Sequence, residues 1–205
     1  MKEISMNNVS RRDFVKAASA VTAVTATTLP TWAVQEKRDP IKIGFIGCGG
    51  RGTGAANQAL TANDTAVIWA MGDTFDDRLT SSLNSLVGEK GARAEVPKER
   101  QFIGFDAFQK VIDSGVDMVI LTTPPHFRPQ HIAAAVKAKK HVFCEKPMAV
   151  DGTGVRSVME SAKLAKDNNT NLMSGFCWRY SYPLRATFEQ LHNGAIGDIE
   201  SYFAT

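Results

Sequence analysis

Three short segments carry residue types that could do chemistry. The first is Gly47-Cys48-Gly49-Gly50-Arg51-Gly52, a G-x-G-x-x-G run directly after the apolar stretch Ile41–Ile46. In such a run the first glycine permits a tight turn. The second lets the backbone approach a diphosphate, and the third lets helix and strand pack closely. The helix that follows presents free N–H groups and a partial positive charge to the anion. The second is Asp73, 26 residues past Gly47, at the end of the next apolar stretch. An acid there can accept hydrogen bonds from ribose hydroxyls and repels a 2′-phosphate, which favours NAD over NADP. The competing reading is a turn or helix cap, a job for which Asp76 and Asp77 also qualify. Arg51 and Arg78 could accommodate a phosphate, so NADP stays open. The third is Glu145-Lys146-Pro147 after the stretch His141–Cys144. Taken alone, a Glu-Lys pair before proline reads as an ordinary exposed loop.

These segments need elements to position them. Apolar stretches at Ile41–Ile46, Ala66–Met71, Val116–Thr122 and His141–Cys144 read as buried strands. Gln101–Ile103 and Asn171–Gly175 read as shorter ones. Helical stretches run from about Thr53 to Leu60, Phe75 to Val87, Asp106 to Asp113, His131 to Ala138, Gly154 to Asn168 and Pro183 to His192. Gly88–Arg100 reads as a charged loop, and Ile199–Ala204 as a further strand. The alternation predicts an α/β fold with a parallel sheet covered by helices on both faces. Ligands in such sheets bind beyond the carboxyl ends of the strands, where all three segments fall.

The amino-terminal residues form a separate unit. Lys2, Arg11, Arg12 and Lys16 precede an uncharged stretch rich in Ala, Thr and Val from Ala17 to Ala33. This is the layout of an export signal. Ser10-Arg11-Arg12-Asp13-Phe14-Val15-Lys16 closely resembles the twin-arginine signal, which addresses proteins exported after folding. Its reader is the twin-arginine export machinery and its destination the periplasm or beyond. Thr31-Trp32-Ala33 is a plausible cleavage site, with an uncleaved membrane anchor as the alternative.

Composition narrows the rest. The chain has 205 residues, 43% hydrophobic and 22% charged, with a formal net charge of +3. Setting aside residues 1–33 leaves 20 basic against 19 acidic residues, so the basicity belongs mostly to the signal. No long basic run argues for nucleic acid. No apolar stretch reaches the roughly 18 residues of a membrane span. Cys48, Cys144 and Cys177 read as small buried hydrophobes. No His/Cys/Asp spacing reads as a metal site.

Thr123-Pro124-Pro125-His126 ends one strand, Glu145-Lys146-Pro147 ends the next, and the glycine loop lies upstream. Together they resemble the glucose–fructose oxidoreductase / inositol dehydrogenase (Gfo/Idh/MocA) family. The resemblance covers essentially all of the chain after the signal. It implies a Rossmann-type, doubly wound NAD(P)-binding domain over residues 34–180. Residues 181–205 would begin a second α+β domain for substrate binding and oligomerisation, continuing past Thr205. It implies hydride transfer between the nicotinamide and a hydroxyl or ketone of a small sugar or polyol.

The resemblance also implies site roles. Lys146 would exchange a proton with the substrate hydroxyl, its ammonium form disfavoured in an enclosed site beside a cationic ring. Glu145 would contact the cofactor or orient the lysine, and Pro147 would fix the turn, with a cis bond as one means. Thr123 and Pro124 would floor a ribose, and His126 would add a polar contact or stay on the surface. Trp178 and Arg179 are candidates to stack on or pair with the cofactor, against core packing and a surface ion pair. His131 reads as a helix residue rather than a ligand. Where the family often shows Ala-Gly-Lys before a strand, this chain has Ala138-Lys139-Lys140. Lysine at a left-handed helix end costs on the order of 1 kcal/mol. A redox-neutral glycosidase that uses NAD transiently and a non-catalytic dinucleotide-binding fragment are the alternative functions.

Overall fold

The structure, a computed structural model, describes residues 39–203. The export signal, and with it the assignment of residues 1–33, lies outside them. Six strands form one sheet: β1 (Ile41–Ile46), β2 (Ala66–Asp73), β3 (Gln101–Ile103), β4 (Met118–Leu121), β5 (His141–Cys144) and β6 (Leu172–Ser174). All neighbours are parallel, in the order β3-β2-β1-β4-β5-β6. This is the doubly wound Rossmann order, and the chain reverses direction across the sheet between β1 and β4. Ile46 is level with both Gly72 and Leu121, so the tips of β1, β2 and β4 meet at one edge.

Strand sequences are apolar on both faces because helices cover both. Ile43 and Phe45 face one core with Ile68, Met71 and Ile120, under α1 (Gly50–Ala62) and α2 (Asp76–Lys90). Ile46, Val119 and Leu121 face the other, under α3 (Ala107–Asp113), α4 (Arg128–Lys137) and α5 (Gly152–Asp167). Each fully buried Ile or Leu contributes about 1.5–3 kcal/mol. Along α4 the buried residues Arg128, His131, Ile132, Ala135 and Val136 recur at helical spacing on one face.

The end of α4 matches the expectation at Lys139. Its φ is +57°, a left-handed conformation. Lys140 N–H donates to Ala135 O at 3.0 Å and Lys139 N–H to Val136 O at 2.9 Å, the paired bonds of a Schellman end.

Several boundaries differ from the sequence reading. α1 begins at Gly50 and α4 at Arg128, each about a turn early, and Pro129 is tolerated in the first turn of α4. Residues 88–100 contain the end of α2 and two 3-10 turns, Gly91–Ala94 and Lys98–Arg100, rather than a plain loop. A 3-10 turn (Cys177–Tyr180) and α6 (Tyr182–His192) follow β6. Residues 199–203 are not a strand; they are exposed and pair with nothing among the described residues. The remaining residue of that expected strand, Ala204, lies outside the described range. Cys48 and Cys144 are buried as expected, but Cys177 is exposed.

Candidate functional site

Past Ile46 the chain turns into α1 while hugging β4. Gly47 makes the turn at φ +96°, and a Cβ there would stand 2.6 Å from the Thr123 nitrogen. A Cβ on Gly52 would collide with Gly47 O and stand 2.5 Å from Thr122 Oγ1. Those two glycines serve packing. Gly49 and Gly50 do the opposite: a Cβ on Gly50 meets nothing within 4 Å, and one on Gly49 meets only Arg78 Nη1 at 3.7 Å. The space over the start of α1 is therefore open. No side chain caps the helix there, which leaves its first N–H groups for a ligand.

Neighbouring strands hold the loop. Thr122 Oγ1 donates to Gly47 O at 2.5 Å and to Ile46 O at 3.0 Å. Asp73 Oδ2 accepts the Cys48 N–H at 2.6 Å, and Asp73 Oδ1 accepts the Phe75 N–H at 3.0 Å. The turn-capping bond is thus present, together with a bond to the glycine loop that the sequence did not announce. Each carboxylate oxygen keeps a free lone pair, and Asp73 also lines the cleft beside it.

That cleft, of about 500 Å³, opens at the tips of β1, β2 and β4. Gly47, Gly49, Asp73, Thr123 and Pro124, all named in the sequence analysis, line it. Phe105, Phe108, Phe127 and His131 line it too, giving an apolar slot with a few polar points, the usual character of a small-molecule site. His131 stacks on Phe108, centroids 4.1 Å apart, and its Nδ1 lies 3.2 Å from Thr123 Oγ1. Burial pulls its pKa down to about 4, so the ring is neutral at pH 7. His131 is thus the helix residue the sequence led us to expect, and it also lines the cleft.

The turn after β5 is tied in from two sides. Glu145 is buried, and its Oε1 accepts from Arg51 Nε at 2.9 Å and Nη2 at 2.5 Å. Its carboxylate lies against Gly175, where a Cβ would come within 3.0 Å of Oε1. Arg128, 6% exposed, donates to Thr123 O at 2.7 Å, Glu145 O at 2.8 Å and Pro147 O. Burial holds its guanidinium below the ordinary arginine range. Desolvation likewise pushes the neighbouring Cys144 thiol up to about 12, which keeps it protonated. The Lys146–Pro147 bond is cis. Lys146 itself is exposed, so the described residues do not form the enclosure expected around it.

Gly50, Arg51, Gly52, Glu145 and Lys146 lie outside the lining of this cleft, and so do three further candidates. His126 is exposed and edge-on to Phe127. Trp178 is 77% exposed, and Arg179 sits over Phe176. Among the described residues no group of His, Cys, Asp and Glu could hold a metal, and no helix is long and apolar enough to cross a membrane.

Residues 41–176 match the oxidoreductase family with an NAD-binding Rossmann fold, Gfo/Idh/MocA. The chain belongs to this family. Residues 8–28 match the twin-arginine translocation signal. Myo-inositol 2-dehydrogenase of Thermotoga maritima is 31% identical over 157 residues, 77% of this chain and 42% of that protein. A glycosyl hydrolase family 109 protein of Shewanella baltica is 28% identical over 80% of this chain and 39% of its own length. Scyllo-inositol dehydrogenase of Lactobacillus casei, solved with NAD(H) and scyllo-inositol, is 26% identical. The two share a TM-score of 0.62 over 78% of this chain and 43% of that one. The chain thus spans about two fifths of the length of the relatives it matches.

Proposed function

We propose that the protein holds NAD across the tips of β1, β2 and β4 and oxidises a polyol or sugar hydroxyl, or reduces the matching ketone. The supporting observation is the cradle at the start of α1. Open space over Gly49 and Gly50, uncapped helix N–H groups and the Arg51 cation together fit a diphosphate. The main-chain amides of the first turn of α1, with Arg51, bind the diphosphate, and the free lone pairs of Asp73 take the adenosine ribose hydroxyls. Thr123 and Pro124 floor the ribose, and the aromatic slot takes the base. When bound, the nicotinamide supplies the hydride acceptor. Lys146 Nζ takes the hydroxyl proton as hydride leaves the same carbon, and returns it in the reverse direction. His126, Trp178 and Arg179 remain candidates for the nicotinamide end.

The relatives' named inositol substrates make cyclic polyols the first to try. Export by the twin-arginine route would carry the protein, cofactor loaded, to the periplasm, with cleavage after Ala33 or retention as an anchor. Residues 181–205 would lead into a second, substrate-binding and oligomer-forming part.

The test is incubation with NAD and a panel of inositols and sugars while reduced nicotinamide absorbance is followed. The expected result is a rise with at least one polyol and its loss in Lys146→Ala. Normal turnover by Lys146→Ala would overturn the assignment of that residue. Release of an aglycone with no net absorbance change would instead identify a redox-neutral glycosidase.

A further inference from the structure

Arg128 is an odd residue to find where it is. It opens α4, where the helix dipole disfavours a cation, and it is 6% exposed, where desolvation disfavours any charge. It is held by three main-chain carbonyls, not by a carboxylate. Nε donates to Thr123 O at 2.7 Å, and Nη1 donates to Glu145 O at 2.8 Å and to Pro147 O. Glu145's own carboxylate is engaged by Arg51. The planar fork of a guanidinium spreads its donors over several nitrogens in a fixed geometry, whereas an ammonium presents three donors from a single point. Two of the acceptors flank Lys146 in sequence, and the third floors the cleft.

We propose that Arg128 is the positioning residue for Lys146. It locks the Glu145–Pro147 turn to Thr123 and so fixes the backbone from which the amine projects toward the nicotinamide end. This rests on the dinucleotide reading above. Thr123 keeps a second hold through Oγ1 and His131 Nδ1, so the adenosine half of the site does not depend on Arg128.

The two halves can be probed separately. ADP reaches only the glycine loop, Asp73 and the aromatic slot, whereas NADH also needs the turn after β5. Both ligands are titrated by calorimetry against the wild-type protein, Arg128→Met and Arg128→Lys. In Arg128→Met the NADH affinity falls by about tenfold, or about 1.4 kcal/mol, while ADP affinity changes by less than about twofold. Arg128→Lys keeps the charge and loses the fork, so it shows the same split in weaker form. It also decides the matter if the methionine variant does not fold.

Equal losses for both ligands would make Arg128 a general structural residue and overturn the proposal. So would unchanged NADH binding, or a wild-type protein that holds NADH no better than ADP. A folded wild-type protein that binds neither ligand would instead sink the dinucleotide reading, and this inference with it.

Discussion

His131 couples the cleft to pH. The residue is 6% exposed, its ring stacks on Phe108 and faces Thr123 Oγ1, and burial lowers its pKa from 6.5 to about 4. The folded state therefore resists protonation more than the unfolded chain does. As pH falls, the unfolded chain takes up the proton first. The stabilisation from keeping His131 neutral is complete above its unfolded pKa and is lost as pH falls through the folded one. Over that window one proton is linked to unfolding at 1.36 kcal/mol per pH unit, about 3 kcal/mol in all. Urea unfolding from about pH 7.5 to about pH 4.5, on the wild type and His131→Phe, isolates this contribution. The phenyl ring can still stack on Phe108 but cannot titrate. The wild type should lose about 2–3 kcal/mol more than the variant across the series. Parallel stability curves would show that His131 titrates alike in both states and would refute the argument from burial.

Three further expectations come from single residues. Asp73→Ala removes the acceptor for the Cys48 and Phe75 N–H groups and the ribose contact. It should cost about 1.5–3 kcal/mol in a thermal melt and weaken NAD more than NADP; equal loss for the two cofactors would count against the ribose role. Lys139→Gly relieves a φ of +57° and should raise stability by about 1 kcal/mol, read from the urea midpoint. No gain would mean the Schellman end of α4 carries no strain. Maleimide labelling of the native protein should modify Cys177 alone, because Cys48 and Cys144 are buried and desolvation raises both thiols. Rapid labelling of either buried thiol would show that the sheet edge opens.

Much of the cofactor half of the site was legible in the sequence because its requirements are local. Gly47 and Gly52 sit where strand, turn and helix meet within six residues, and Asp73 ends the adjacent strand. Strands could be located because burial on both faces leaves nearly unbroken apolar stretches. Lys139 could be placed at a left-handed helix end because it stands where the family it resembles often has glycine. What escaped depends on contacts distant in sequence. Arg51 and Glu145 are 94 residues apart, and only the sheet order brings them together. Arg128 serves two loops that nothing in its neighbourhood identifies, and the sequence reading started its helix three residues later, at His131. His131 was read as a helix residue, and its stacking on Phe108 and place in the cleft lining depend on contacts that helical spacing does not reveal. The 199–203 segment shows the reverse error: strand-forming residues make no strand without a neighbour to pair with. The enclosure expected around Lys146 is likewise tertiary, and no local pattern could supply it.

The proposed function stands on the start of α1 serving as a diphosphate cradle. Titration of the purified, folded protein with NADH, followed by nicotinamide fluorescence and repeated with Gly49→Val, tests it most directly. A valine would fill the space left open above Gly49. The wild type should bind saturably, with displacement by ADP, and the variant little or not at all. A folded wild type with no affinity for NADH or NADPH, or a variant that binds as well as the wild type, would contradict it.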